Sequence, residues 1–326
     1  MFAPHERRAY TRRVRETMTG DEARGRGMLM AIGGAEDKGH DRVILRRFVA
    51  LAGGAAARIA IVPTASSIEG AGQRYKAIFL ELGAATAEVV YIPDRAAALD
   101  PRNVVPLHDT TGIFIGGGNQ MRLAAILGGS PLAEAIAERH AAGATIAGTS
   151  AGASILSRHM VAIGASGTGP RLGMARLGAG FGLIDDVIVD QHFRERDRIG
   201  RLLTLVALNP GQIGLGIDED TAAIIAADGQ LEVLGRGTVT VVDGRLMTSD
   251  IAQRGPREPV NITDVILHSL ASGARFDLRR RRPIAFPPAP DGTEEILQAE
   301  RRQIYRAVLA AADEEQEGEP PTIGTR

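Results

Sequence analysis

The stretch ATIAGTSAGASIL, residues 144–156, decides the fold class and indicates a chemistry. An apolar strand runs directly into the turn Gly148-Thr149-Ser150-Ala151-Gly152, and small residues follow it. In such a turn the glycines allow a strained backbone that lifts the serine out of the sheet, and the next N–H points into the same space. Ser150 is therefore a candidate nucleophile. A glycine-rich strand-to-helix turn in which Ser150 only caps the helix is the alternative.

The same rhythm extends toward the N-terminus, where short apolar runs alternate with amphipathic segments of helical period. We predict helices at about 38–51 and 72–82, others opening near residue 119 and after Ser150, and strands at 28–32, 57–63, 87–92, 112–116 and 144–148. Apolar strands that alternate with helices indicate a parallel sheet covered on both faces.

After residue 183 the pattern changes to short strands joined by tight turns. Helices are predicted at 196–210, 262–273 and 298–312, and strands at 183–190, 213–217, 221–226, 230–235 and 238–243. Turns at Asp228-Gly229 and Asp243-Gly244 have hairpin chemistry, which favours antiparallel pairing. The predicted fold class is therefore α/β, with a mostly parallel central sheet and an antiparallel extension.

Composition divides the chain into three parts. Residues 1–27 form a polar arm, and residues 28–275 carry the α/β pattern and the candidate hydrolytic residues. Residues 276–326 combine a linker-like arginine run, a helix and an acidic tail that we predict to be disordered.

The overall composition excludes several classes of protein. Of 326 residues, 44% are hydrophobic, and the formal net charge of −1 gives no reason to expect a nucleic-acid or membrane partner. There is no cysteine, which excludes disulfide scaffolds, thiol catalysis and thiolate metal sites. No secretory signal is recognisable, and no apolar run approaches the roughly 18 residues of a membrane span. We expect a cytoplasmic protein.

A serine nucleophile needs a base, and His192 is the strongest candidate among seven histidines. It directly follows a predicted strand, where parallel sheets place their site residues. An orienting carboxylate is available from Asp218, Glu219 or Asp220, which follow another strand, although a solvated acidic turn also explains this trio. The chain order serine, histidine, acid differs from that of the α/β-hydrolases and argues against that fold.

The glycine loop GGGNQ (116–120) also follows a predicted strand. It lacks the Gly-Lys-Ser/Thr ending of a phosphate-binding loop. We predict instead that the N–H groups of Gly117 and Gly118, together with that of Ala151, hold an oxyanion, and that Gln120 orients the substrate.

A second glycine loop, GGAED (33–37), resembles a dinucleotide loop only superficially. Its two carboxylates would repel a pyrophosphate. Glu36 and Asp37 are better suited to a cationic group of a substrate.

Five segments together resemble the serine peptidase family that contains the cyanophycinases and aspartyl dipeptidase. They are GGAEDK (33–38), GGGNQ (116–120), GTSAGA (148–153), VDQHF (189–193) and GIDEDTA (216–222). The arginines that follow VDQHF, which are Arg196, Arg198 and Arg201, resemble the cyanophycinase branch. The resemblance spans roughly residues 28–245, and neither end of the chain matches the family pattern.

The resemblance implies a role for each matching residue. Ser150 is the nucleophile, His192 the general base and Glu219 the acid that orients His192. The implied substrate pocket and its mouth are formed by Gln120, Thr168, Asp190, Gln191, Arg196, Arg198 and Arg201. The family further implies a glutamine-amidotransferase-like three-layer sandwich, a homodimer, and no metal or organic cofactor.

The substrate implied by the resemblance is cyanophycin, a polyaspartate chain with arginine on each β-carboxyl, cleaved from its C-terminal end into β-Asp-Arg dipeptides. The arginines can bind its carboxylates in bidentate fashion, and Glu36, Asp37 or Asp190 can meet its guanidinium. One alternative is a dipeptidase of the same family that acts on isoaspartyl or α-aspartyl dipeptides. A non-catalytic polymer-binding protein is a third reading, which the intact serine, histidine and acid argue against.

Overall fold

The structure is a computed structural model that describes residues 25–287 and residue 303. The main body of the fold extends to Ala285. Most of the arm 1–27, the tail and, apart from residue 303, the predicted helix at 298–312 lie outside the described residues.

Five parallel strands form one side of a nine-stranded sheet, in the order β1, β5, β4, β2, β3, with β3 at the edge. Their carboxyl ends share one edge, so the loops that follow β1, β4 and β5 lie close together. These strands confirm the predicted α/β class and parallel core. They are β1 (Leu29–Ile32), β2 (Arg58–Val62), β3 (Thr86–Val89), β4 (Gly112–Ile115) and β5 (Thr145–Thr149).

On the other side of β1 the sheet continues as an antiparallel extension in the order β10, β11, β16, β17. The strands are β10 (Thr221–Ile225), β11 (Gln230–Gly235), β16 (Arg275–Asp277) and β17 (Arg282–Ala285). β16 crosses residue 275, the predicted end of the hydrolytic domain, and β17 lies beyond it in the segment predicted to be a linker. Pro283 is compatible with that position because β17 is an edge strand.

A second, four-stranded sheet has the order β15, β12, β9, β8, with β8 and β9 parallel. Its strands are β8 (Val187–Gln191), β9 (Ile213–Ile217), β12 (Thr238–Asp243) and β15 (Ile266–Ala271). Two small two-stranded sheets pair β6 (His159–Gly164) with β7 (Ala175–Ala179), and β13 (Thr248–Ser249) with β14 (Ile262–Thr263).

Seven α-helices lie within residues 25–287. They are α1 (Val43–Leu51), α2 (Ala71–Glu81), α3 (Arg95–Leu99), α4 (Gln120–Leu127), α5 (Pro131–Ala141), α6 (Ala151–Ser154) and α7 (Ile199–Leu208). Short 3-10 turns occupy Gly54–Ala56, Pro101–Asn103, Val105–Leu107 and Ile251–Gln253. None of these helices has the length and hydropathy needed to span a membrane.

The parallel sheet is buried on both faces because its residues alternate between two apolar cores. In β1, Leu29 and Ala31 belong to one core, and Met30 and Ile32 belong to the other. The second core contains a cluster of aromatic rings from α1, α2 and β4, which are Phe48, Tyr75, Phe79 and Phe114. Two buried faces explain why the parallel strands read as continuous apolar runs.

The helix predicted at 262–273 is wrong, because this segment forms β14 and β15. Exposure in β15 alternates along the strand, and β15 pairs antiparallel with β12 from Thr238↔Ala271 to Asp243↔Ile266. The segment ITDVILHSLASG is rich in β-branched residues, which favour strands when cross-strand neighbours are available. Those neighbours lie more than 20 residues away, so periodicity alone did not reveal them.

Candidate active site

The turn at Ser150 has the strained geometry that the sequence predicts. Ser150 follows β5 with φ 52° and ψ −111°, outside the ordinary regions for a non-glycine residue. A Cβ at Gly148 would lie 2.1 Å from the Gly152 carbonyl oxygen, and one at Gly152 would lie 2.3 Å from that of Ile115. Both glycines are therefore required for the backbone to approach so closely.

The structure brings Ser150, His192 and Glu219 together in one chain of hydrogen bonds. Ser150 Oγ lies 2.9 Å from His192 Nε2, and His192 Nδ1 lies 2.5 Å from Glu219 Oε1. His192 follows β8 and Glu219 follows β9, so the second sheet supplies the base and the acid while the first supplies the serine. This is the arrangement of a nucleophile, a general base and its orienting acid.

Gly34 makes room for the His192 ring. A Cβ at Gly34 would lie 2.4 Å from His192 Cε1, and the residue has φ 100°. The backbone N–H of His192 also donates to the Gly33 carbonyl oxygen at 2.8 Å. The first glycine loop thus supports the imidazole, a role that the local sequence did not reveal.

The carboxylates of the other two acids are bonded to neighbouring segments of the protein. Asp218 is buried and accepts hydrogen bonds from Thr238 and from the Arg194 N–H. Asp220 accepts from the Asp37 N–H at 2.8 Å. Of the three acids, Glu219 is therefore the one whose carboxylate meets His192.

Burial lowers the pKa of His192 below that of an ordinary imidazole, and the charge of Arg196 acts in the same direction. The hydrogen bond that Glu219 accepts from His192 opposes this shift. At neutral pH the imidazole is therefore neutral, the state in which it can accept a proton.

The predicted oxyanion donors lie beside Ser150. A Cβ on Gly117 would be 3.2 Å from Ser150 Cβ, which places this loop against the nucleophile. Gly118 has φ 141° and room for no side chain next to the Ala65 carbonyl. Among the described residues, no oxygen accepts a hydrogen bond from the N–H of Gly117 or Gly118. These N–H groups are available to a ligand, and Ala151 begins α6 next to them.

A cavity of about 620 Å³ opens at Ser150. It is lined by Gly118, Asn119, Gln120, Met121, Ser150, Ala162, Ile163, Gly164, Gln191, Arg196, Arg198 and Arg201. Five of these residues, Asn119, Met121, Ala162, Ile163 and Gly164, were not predicted. Three of the five come from β6, whose place beside the site depends on contacts distant in sequence, such as the bonds from Gln120 to the carbonyls of Val161 and Ala162.

The three arginines of the cavity differ in how they are held. Arg201 forms a bidentate pair with the buried carboxylate of Asp190 and also donates to the Gly164 carbonyl. Arg198 uses Nη1 for Gln191 and Asp190, and burial lowers its pKa to about 10, so it stays charged at neutral pH. Arg196 is exposed and has no ion-pair partner among the described residues.

Four residues predicted to bind substrate do not line this cavity. Asp190 is buried and paired with Arg198 and Arg201, and Thr168 is exposed in the segment that packs against Gly200 at the start of α7. Asp37 accepts from the N–H groups of Gly39, His40 and Arg42, which hold the pKa of its carboxyl well below the usual range. Glu36 is buried, and its oxygens are bonded within the protein.

Comparison with known proteins identifies the family. The profile of Peptidase family S51 matches residues 28–234. A protein of Nostoc sp. named cyanophycinase is 43% identical over 78% of this chain and 86% of its own length, and one of Geminocystis herdmanii with the same name is 41% identical over 80% and 97%.

A solved structure supports the fold. The crystal structure of a peptidase from an acI-B1 Actinobacterium covers 74% of this chain and 96% of its own, with a TM-score of 0.56 and 24% identity. Because the family profile matches more than half of the sequence, the chain belongs to peptidase family S51.

Proposed function

We propose that this peptidase is a serine exopeptidase that hydrolyses cyanophycin into β-Asp-Arg dipeptides through an acyl-enzyme on Ser150. The observation that carries the proposal is the hydrogen-bonded chain from Ser150 through His192 to Glu219 beside an arginine-lined cavity. The similarity to proteins named cyanophycinase over most of the chain supports the choice of substrate.

In the proposed reaction, His192 Nε2 accepts the Ser150 proton as Oγ attacks the scissile aspartyl carbonyl. The N–H groups of Gly117, Gly118 and Ala151 stabilise the oxyanion. The imidazolium then donates its proton to the leaving amine. Water, deprotonated by His192, attacks the acyl-enzyme and releases the second product with Ser150 restored.

In this proposal Arg196 and Arg198 bind the substrate carboxylates. In the described part of the chain, both have nitrogen atoms that are not taken up by protein acceptors, and a bidentate contact from a guanidinium suits a carboxylate. Arg201 lies beneath them with its nitrogens bonded to Asp190 and Gly164. Gln120 and Gln191 line the same cavity and orient the chain next to Ser150.

The proposal extends to three further properties. We expect the glutamine-amidotransferase-like three-layer arrangement, a homodimer and a cytoplasmic location, as the family resemblance implies. Light scattering of the purified chain across a concentration range tests the dimer.

The test of function compares Ser150→Ala with Ser154→Ala. Both replace a serine, but the Ser154 hydroxyl is buried in α6 and has no hydrogen-bond partner among the described residues. We expect Ser150→Ala to lose at least about a thousandfold of the β-Asp-Arg release from insoluble cyanophycin, with Ser154→Ala close to wild type. Undiminished release by Ser150→Ala would contradict the proposal. Faster cleavage of soluble isoaspartyl dipeptides than of polymer would reassign the substrate.

A further inference from the structure

Glu36 lies behind the nucleophile turn and not in the cavity. Its side chain is 1% exposed, in the loop that follows β1. The Thr149 hydroxyl donates to Glu36 Oε2 at 2.6 Å, and the Tyr75 hydroxyl donates to Oε1. Lys38 Nζ lies 3.0 Å from the same oxygen Oε1. The carboxylate therefore joins α2, the end of β5 and its own loop.

The Tyr75 hydroxyl of this cluster remains a hydrogen-bond donor. Burial and the neighbouring Glu36 carboxylate raise the pKa of Tyr75 far above its usual range, so the phenol remains protonated. A buried carboxylate that lost these partners would destabilise the folded state. Proteins in which apolar residues of similar volume replace such buried charged groups are commonly as stable or more stable. Stability alone therefore gives no reason to place a charge here.

The cluster acts on the residue next to Ser150. The strained conformation at Ser150 persists only where the surrounding structure holds it from several sides. Its own N–H donates to the Ile32 carbonyl oxygen at 2.9 Å. The bond from Thr149 to Glu36 fixes the preceding side chain at the same carboxyl end of the β1–β5 pairing, where Ile32 is the partner of Thr149.

We propose that Glu36 is a positioning residue for Ser150: through its hydrogen bonds with Thr149 and Tyr75 it holds the turn in the geometry that aims Oγ at His192. The inference rests on the proposed function only in taking Ser150 as the nucleophile. It replaces the sequence-based expectation that Glu36 binds a cationic group of the substrate.

The test uses the full chain with Glu36→Gln and Thr149→Val. It measures kcat and KM on cyanophycin and the rate at which a fluorophosphonate labels Ser150. We expect kcat and labelling to fall by about 10- to 100-fold with KM nearly unchanged, because a small displacement of a nucleophile costs about that much. Thr149→Ser keeps the hydroxyl and should retain most of the wild-type rate.

Asp243→Asn is the matched control. Asp243 is another buried carboxylate, held by Arg245 and Arg281 at the end of β12, and it does not line the cavity at Ser150. We expect this variant to lower the melting temperature while leaving kcat and labelling unchanged. Any drop in labelling that it shares with Glu36→Gln would reflect general loosening and would overturn the proposal.

The outcomes separate this proposal from the proposed function. Labelling of Glu36→Gln at the wild-type rate, or a raised KM with unchanged kcat, overturns the positioning role. A wild type that is labelled but releases no dipeptide from the polymer refutes the substrate assignment, while the labelling rates still decide the role of Glu36. If Glu36→Gln does not fold, the pair Thr149→Val and Thr149→Ser decides, since equal rates in that pair overturn the proposal.

Discussion

His192 sits between a serine hydroxyl and a carboxylate, and this placement sets the pH dependence that we expect. The base must be neutral, and its pKa is lowered chiefly by burial. The acid limb of kcat/KM should therefore lie below the usual imidazole value of about 6.5. A pH profile on cyanophycin at constant ionic strength measures it. A limb at or above that value would contradict the assignment of His192 in this environment.

We expect Glu219 to influence both kcat and the pH at which the acid limb lies. Glu219→Gln keeps the shape of the side chain but removes the charge that stabilises the imidazolium. We expect kcat to fall by about 10³- to 10⁴-fold. Because Glu219 raises the pKa of His192, its loss should also move the acid limb to lower pH.

Asp220→Asn is the control for that variant. The Asp220 carboxylate accepts from the Asp37 N–H and lies near Arg236, with no bond to His192. It should leave the position of the acid limb unchanged. If both variants moved the limb equally, neither acid alone would orient His192.

At this scale the sequence was enough to predict that Ser150, His192 and Glu219 meet, but not what supports them. Ser150, His192 and Glu219 each follow a predicted strand, so chemistry and strand ends together select them. Two of the partners of Glu36, Tyr75 and Thr149, are 39 and 113 residues away. A local pattern shows that a carboxylate is present, but it does not show whether the carboxylate meets a substrate or the protein.

At the scale of elements, the parallel strands were predictable and β14 and β15 were not. In β1 to β5 the sequence carries apolar runs that end where the strands end, because both faces are buried. In β15 alternate residues are less exposed and Leu270 alone is buried, and a leucine pair spaced three apart also fits a helix. Pairing with β12 decides between the two, and that pairing is a long-range property.

The stabilities of variants at Leu267 and Leu270 distinguish the strand from the predicted helix. A helix would place both on one face, whereas in β15 Leu270 is 2% exposed and Leu267 is 51% exposed. We expect Leu270→Ala to lower the free energy of unfolding by about 2–5 kcal/mol and Leu267→Ala by less than about 0.5 kcal/mol. Urea unfolding of the two variants tests it. Similar losses would favour the helix or a covered outer face.

At the scale of the whole molecule, the site joins loops from two sheets. The main sheet supplies the turn at Ser150 and the glycine loops after β1 and β4, and the second sheet supplies His192 and Glu219. The order Ser150, His192, Glu219 could be read from the sequence, but the division of their strands between two sheets could not. β8, β9 and β12 resemble the other short strands, and only their pairing separates them.

The net charge of the whole chain differs from the charge of its cavity. This difference predicts how salt affects substrate binding. The net charge is −1, so no strong overall field attracts an anion. The cavity, in contrast, is lined by Arg196, Arg198 and Arg201 and, within the described chain, by no aspartate or glutamate. Salt should therefore screen binding locally: raising NaCl from about 50 to about 500 mM should raise KM several-fold while kcat changes little.

Arg196→Gln tests which residue carries that salt effect. Arg196 is exposed, so solvent ions reach it, and it has no ion-pair partner in the described part of the chain. The variant should raise KM at low salt and flatten the dependence of KM on salt, with kcat nearly unchanged. Arg236→Gln is the control, because Arg236 is also exposed but pairs with Asp220 outside the cavity. An unaltered salt dependence in Arg196→Gln would show that this guanidinium does not meet the substrate's carboxylates.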